Sequence, residues 1–259
     1  MHKKSIKIRN EVVGKEFETN NCGKCFIIDY ENSRSVVVMF YKPQFVVKCR
    51  MINLVMGKVD NPFYPKHHNK GYMGVGSYSI KNREAYNCWE GMLRRCYDPK
   101  FTKRLKTYET AEVCEEWLNF QNFAEWFYND NFAACRDSKG NRYELDKDIL
   151  LKGNKLYSPE NCCFIPHRIN SLLISCNSRR GSSPIGVTKN KGRKGFVAKC
   201  SVNGVTNKHL GYYDTLEEAF QAYKAVKEVY IKEVAEDWKD KIDPRVYQSL
   251  LKYEVEITD

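Results

Sequence analysis

Residues 143–170 read YELDKDILLKGNKLYSPENCCFIPHRIN. Asn161 follows Asp146 by fifteen positions, and Asn170 follows Asn161 by nine. That spacing suits a strand–turn–strand–helix finger built around a metal ion. The first strand offers an acid, a turn reverses the chain, and the helix returns a third polar group to the same point. Asp and Asn supply hard oxygen ligands of the kind Mg²⁺ takes. One such ion stabilises the leaving oxygen of a cleaved phosphodiester while a neighbouring base activates water.

C-terminal to this stretch, residues 178–184 (SRRGSSP) read as a linker. Three short strands are expected at Ile185–Thr188, Gly195–Val202 and Thr206–Tyr212, the last two joined by an Asn203-Gly204 turn. A helix is expected from Leu216 to about Asp237. Thr215 is its N-cap, and Glu217 and Glu218 complement its positive end. Asp243–Leu251, with Pro244 at an early helical position, reads as a last short helix. From Arg179 to Tyr213 there are eight Lys or Arg and no Asp or Glu, whereas Asp214–Asp259 holds seven against twelve acids. The positive charge is therefore concentrated ahead of the final helices.

N-terminal to the stretch, residues 81–176 lean helical. Tyr86, Trp89, Leu93 and Tyr97, and then Trp117, Phe120, Phe123 and Phe127, recur at helical spacing. Such aromatic stripes read as core. Asn61–Ser79 is rich in Pro, Gly and Asn and reads as a linker, with His67 and His68 in an exposed loop. Lys24–Tyr30, Ser35–Tyr41 and Phe45–Met51 read as strands of a small barrel, SH3-like in size. Thirteen Lys or Arg against six acids through Lys70 make a DNA or protein contact by that segment an open expectation.

The chain has 259 residues, a formal charge of +11 and 42% hydrophobic content, enough for two or three small domains. No apolar run approaches the roughly 20 residues of a membrane span, and the basic N-terminus lacks a signal-peptide core. A soluble cytoplasmic protein without membrane contact is expected. The charge favours polyanionic partners, because phosphate contacts release counterions. Eleven cysteines, an odd number without a regular framework, suit a reducing compartment. Cys22-Gly-Lys-Cys25 lacks a second ligand pair and reads as structural. The expected class is therefore multidomain α+β: a β-barrel over 1–66, a linker over 67–80, a helical domain with the ββα finger over 81–177, a linker over 178–184, and a three-stranded sheet plus helix with a helical extension over 185–259.

The residues Trp89, Met92, Arg95-Cys96-Tyr97, Val113-Cys114 with Trp117, Phe120 and Phe123, Leu145-Asp146-Lys147-Asp148, Tyr157-Ser158-Pro159-Glu160-Asn161-Cys162 and Asn170 resemble the HNH nuclease superfamily. More specifically, they resemble phage homing endonucleases with a C-terminal AP2-like domain. Gly186-Val187, Gly195-Phe196-Val197-Ala198, Leu210-Gly211 and Glu217-Glu218-Ala219 carry the AP2-like part. The resemblance runs from Trp89 to the C-terminus. It implies that Asp146 and Asn170 bind Mg²⁺ or another divalent cation, and that Asn161 orients the finger through backbone hydrogen bonds. It also places Lys147 where active members carry the His general base. An ordinary Lys is protonated at neutral pH and accepts no proton, so Asp148 and His167 are the named candidates to replace the base. By relation to AP2 domains, the sheet is offered to the major groove of double-stranded DNA. Arg179, Arg180, Arg193, Lys194, Lys199 and Lys208 are the expected contacts.

Two functions follow as expectations: a metal-dependent, homing-type DNA endonuclease, or a DNA-binding protein whose HNH finger is catalytically inert. A third is capture of a host protein or RNA by the N-terminal segment. Target sequence, one- or two-strand cutting and oligomeric state stay open.

Overall fold

The β-rich start of the chain forms an antiparallel meander. In the computed structural model, which describes residues 3–104, 108–173, 183–190, 192 and 194–259, helix α1 (Lys3–Val12) precedes β1 (Glu16–Glu18), β2 (Lys24–Asn32), β3 (Ser35–Phe40) and β4 (Phe45–Cys49). The sheet order is β1-β2-β3-β4. Alternation sets the core: Cys25 opposes Phe40 and Ile27 opposes Val38, and all four are buried. Leu54 of the short helix α2 (Met51–Val55) and Val59 complete that cluster. The expected barrel does not close. β1 is only three residues long, and no ladder joins it to β4 among the described residues. Four strands with so short a first member have too little length to wrap onto themselves.

The helical stretch buries its aromatic stripe. Helix α3 (Arg83–Tyr97) buries Ala85, Trp89, Met92, Leu93 and Cys96. A short helix α4 (Pro99–Arg104) follows, then β5 (Glu112–Val113), α5 (Glu115–Leu118) and α6 (Phe120–Asn129). Trp89 donates its indole N–H to the Trp117 carbonyl at 2.7 Å, so the ring is buried with its one polar atom satisfied. Residues 67–80, expected as a linker, are bonded in place. The Gln121 amide donates to the carbonyls of Met73 and Tyr78, and Tyr72 exchanges backbone bonds with Leu118 and Phe120. His67 and His68 are not an exposed loop pair: their rings are mostly covered, and both bond Glu90.

The informative stretch folds as strand, strand, helix. β6 (Glu144–Asp146) pairs antiparallel with β8 (Cys163–Ile165), and α7 (His167–Leu173) follows directly. Between them, β7 (Leu156–Tyr157) pairs in parallel with β5. Further on, β9 (Val187–Lys189), β10 (Phe196–Val202) and β11 (Val205–Tyr213) make a sheet of order β11-β10-β9, covered by α8 (Leu216–Trp238). The Asn203-Gly204 turn has both residues at positive φ, 51° and 77°, which that dipeptide tolerates. Thr215 and Glu218 form a reciprocal capping box at the start of α8. α9 (Pro244–Leu251) is the last helix, capped by Asp243.

The chain divides into two compact units, Met1–Asn129 with Lys155–Ser158, and Asp130–Asn154 with Pro159–Asp259. The division runs through the expected domain 81–177. In the second unit, Ile149, Cys163, Ile165, Ile169 and Leu172 join Val187, Ala198, Cys200, Phe220, Tyr223 and Ile231 in one hydrophobic core. The strand–strand–helix element and the C-terminal sheet therefore share their packing. The ten cysteines among the described residues are free thiols, most of them buried. Cys22 donates to Asp60 at 2.8 Å. Among the described residues, no helix is long and apolar enough to cross a membrane.

Candidate functional site

β6 ends at Asp146, and the side chain of that residue ends it. Its Oδ1 accepts the backbone N–H groups of Asp148 and Ile149, at 2.9 and 2.8 Å, and turns the chain. Strand alternation therefore stops there, and Asp148 does not continue the Asp146 face as a strand residue would. Burial first, then the Asp148 carboxylate, push Asp146 up to about 6, while the two backbone donors and Lys147 oppose the shift. Opposite Asp146 in the ladder stands buried Cys163, whose thiol burial pushes well above its usual range, so it is held neutral.

Lys147 is 5% exposed. Its Nζ donates to Asp148 Oδ2 and to the Asn154 carbonyl, each at 2.9 Å, and Asn154 returns a bond to the Lys147 carbonyl at 2.6 Å. Both named partners of the ammonium are acceptors, so the geometry uses it as a donor and a turn-former. Asp148 is correspondingly occupied on one oxygen.

Two residues of α7 meet on one carboxylate that the sequence reading did not select. Glu144, two residues before Asp146 on β6, has Oε1 2.9 Å from His167 Nδ1, while its Oε2 accepts from Asn170 Nδ2. The signal was in the sequence, since positions i and i+2 of a strand share a face. Asn170 is thus brought to Glu144, and the described bonds do not join it to Asp146. The His167 side chain is 62% exposed, so its outer edge faces solvent. Asn161 lies half-buried in the turn that enters β8. Among the described residues, no three His, Cys, Asp or Glu side chains are grouped closely enough to hold a metal ion.

The C-terminal sheet has one face against α8 and one open. Phe196, Ala198, Cys200 and Val202 point to the helix side. Lys199 points outward, with His209 opposite it on β11. Tyr212, 65% exposed, lies near His209 with ring centroids 4.7 Å apart. Lys194 is exposed beside a small cleft lined by Asn190, Phe196, Tyr212 and Glu218. Lys208 is exposed, but its ladder partner is Cys200, which puts it on the helix side. Arg179, Arg180 and Arg193 lie outside the described residues.

No family model, no curated protein and no solved structure matches this chain.

Proposed function

We propose that this chain is a double-stranded-DNA-binding protein of the HNH homing type, whose strand–strand–helix element hydrolyses a phosphodiester with a divalent cation. The observation that carries this reading is the order β6–β8–α7 with Glu144, Asp146, His167 and Asn170 on it, in one core with a sheet whose strands hold basic residues and no acids. The AP2-like sheet would bind DNA through its outward face, with Lys199 and Lys194 on phosphate and His209 and Tyr212 toward the groove.

Asp146 and Asp148 are hard oxygen donors of the kind Mg²⁺ takes, which supports a cation there. Asp146 is raised to about 6 in part because a second carboxylate lies close in a half-buried place. A cation there would relieve that repulsion, and Mg²⁺ needs only one or two carboxylates because it keeps several waters. Asp146 would hold it, with Asp148 as a further oxygen donor and water in the remaining positions. Bound, the ion would supply positive charge to the leaving oxygen.

The proton work falls to His167. With its Nδ1–H given to Glu144, the neutral ring presents Nε2 as an acceptor for a proton from water. Glu144 fixes the tautomer and the ring plane. Lys147 takes no part in that step, since its Nζ is committed to Asp148 and Asn154.

Supercoiled plasmid incubated with the protein and Mg²⁺ or Mn²⁺ tests this. Nicking that is lost in Asp146→Ala and in His167→Ala is the expected result. The second reading, an inert finger on a DNA-binding protein, is favoured by the burial of Lys147. It requires salt-sensitive duplex binding that survives Asp146→Ala, with no nicking by the wild type.

A further inference from the structure

Tyr230 and Lys227 lie three positions apart on α8 and so share one side of that helix. Arg168 of α7 covers Tyr230: its guanidinium carbon is 5.6 Å from the ring centroid, and one of its N–H groups donates to the phenol oxygen. This anchors an exposed Arg at one place beside α8. Lys227 lies one turn before Tyr230, on the side toward which helical side chains tilt, so it borders the place Arg168 occupies. Burial chiefly, and the charge of Arg168 in addition, hold the Lys227 amine below the usual lysine range. Cys200 of β10, whose thiol is buried, belongs to the core that α8 covers.

Neither cation has an acidic partner among the described residues. The adjoining acid on the helix, Glu228, is engaged by Lys224 at 3.4 Å and by the Val255 backbone N–H at 2.8 Å. Two neighbouring cations without a counter-ion disfavour each other, and an anion between them turns that repulsion into attraction. A phosphate group matches it, with charge and several acceptor oxygens for Lys and Arg donors. Arg168 also lies between His167 and Asn170 on α7, so one of the two cations stands on the element that carries the candidate centre.

We propose that Arg168 and Lys227 form a site for one phosphate of the DNA backbone, on the helix side of the C-terminal sheet and separate from its outward face. This rests on the DNA-binding reading. DNA engaged at this site would run past α7 while the sheet's open face holds a different part of the duplex. Tyr230 is a positioning residue, since it fixes Arg168 and leaves the guanidinium edge for the anion.

Duplex binding by the full chain, measured by anisotropy over a salt series, is the first test. Lys227→Met keeps the aliphatic stem and Arg168→Gln keeps a polar side chain, so both should fold. Each is expected to weaken binding about 5- to 10-fold at moderate salt and to lower the salt slope by about 1. Lys227→Arg should retain both. Wild-type affinity and slope in Lys227→Met overturn the proposal. A second measurement separates the site from the partner: the full chain carrying ¹³C-labelled lysine is titrated with inorganic phosphate and with a short duplex. The Lys227 signal is assigned by its loss in Lys227→Arg. A saturable shift with the duplex that is absent in Arg168→Gln supports the site. A shift with phosphate alone, in a chain that binds no duplex, overturns DNA as the partner and leaves the anion site standing. No shift with either overturns the site.

Discussion

The Lys147 ammonium lies 2.9 Å from the Asp148 carboxylate and 2.9 Å from the Asn154 carbonyl, inside the turn that follows β6. Removing it takes a donor away from the Asn154 carbonyl and the ion-pair partner away from Asp148. Asp148 is 46% exposed and can rehydrate, which keeps the cost below that of a fully buried pair. Lys147→Ala is expected to destabilise the protein by about 1–3 kcal/mol in a urea melt. Lys147→His is expected to leave plasmid nicking no faster than wild type, because the introduced ring would point into the turn. A rate gain in Lys147→His would return the general base to that position.

Asp146 gives a pH dependence whose sign is fixed by its raised value. The folded state holds the proton up to about 6, the unfolded chain only to the ordinary 3.8. Folding is therefore favoured by protonation: the contribution is complete below 3.8 and is lost as pH rises through about 6. Asn in its place still accepts the Asp148 and Ile149 N–H groups but carries no charge. Asp146→Asn is expected to gain about 1–2 kcal/mol over wild type between pH 4 and pH 8, after solvent screening is allowed for. Thermal melts at the two values measure it. Adding Mg²⁺ at pH 8 should raise the wild-type midpoint and not that of Asp146→Asn.

Glu144 should separate catalysis from binding. It touches His167 and Asn170 on α7, and neither bond involves a residue of the C-terminal sheet. Glu144→Ala is expected to slow nicking by about 10- to 100-fold, of the order seen when a residue that orients a functional His or metal ligand is lost. Duplex affinity should stay within about twofold. Equal losses of rate and affinity would instead place Glu144 in DNA binding.

On the C-terminal sheet, Lys199 and Lys208 carry the same charge on opposite sides of the ladder. Lys199→Ala is expected to weaken duplex binding about 3- to 10-fold and to reduce the salt slope by about 1. Lys208→Ala should do less at the same salt. Equal effects would mean that DNA passes over the β11 edge rather than across the open face.

Much of this could be read from local patterns. The three strands over 24–51, the Asn203-Gly204 turn, the Thr215 cap and the aromatic stripes of α3 and α6 depend on neighbours a few positions apart. The structure places each where its pattern indicates. What local pattern misjudged was set by side chains acting on backbone at a distance. Asp148 does not continue the strand past Asp146, because Asp146 accepts two backbone N–H groups and ends it. Residues 67–80 have linker composition, yet Gln121, more than forty positions away, holds them in place. Glu144 precedes the charged run Asp146-Lys147-Asp148, yet a period of two puts it on the Asp146 face.

Gly186 tests the shared core of the second unit most sharply. Its φ is +75°, and a Cβ built there would fall 2.0 Å from Cδ2 and 2.4 Å from Cγ of Tyr223. Those atoms are close to the base of the Tyr223 side chain, which is buried against α8's own sheet and has little room to swing. Gly186 also accepts the Lys199 N–H at 2.8 Å, so its backbone cannot withdraw without loosening β10. Left-handed backbone costs a non-glycine residue about 1 kcal/mol, and overpacking adds about 1–3 kcal/mol. Gly186→Ala is therefore expected to destabilise by about 2–4 kcal/mol. A compensating Tyr223→Leu should recover part of that loss in a double-mutant cycle, because it removes the ring from the path of the new methyl. If the two changes were additive, the strain would lie in the φ angle alone and the packing argument would fall.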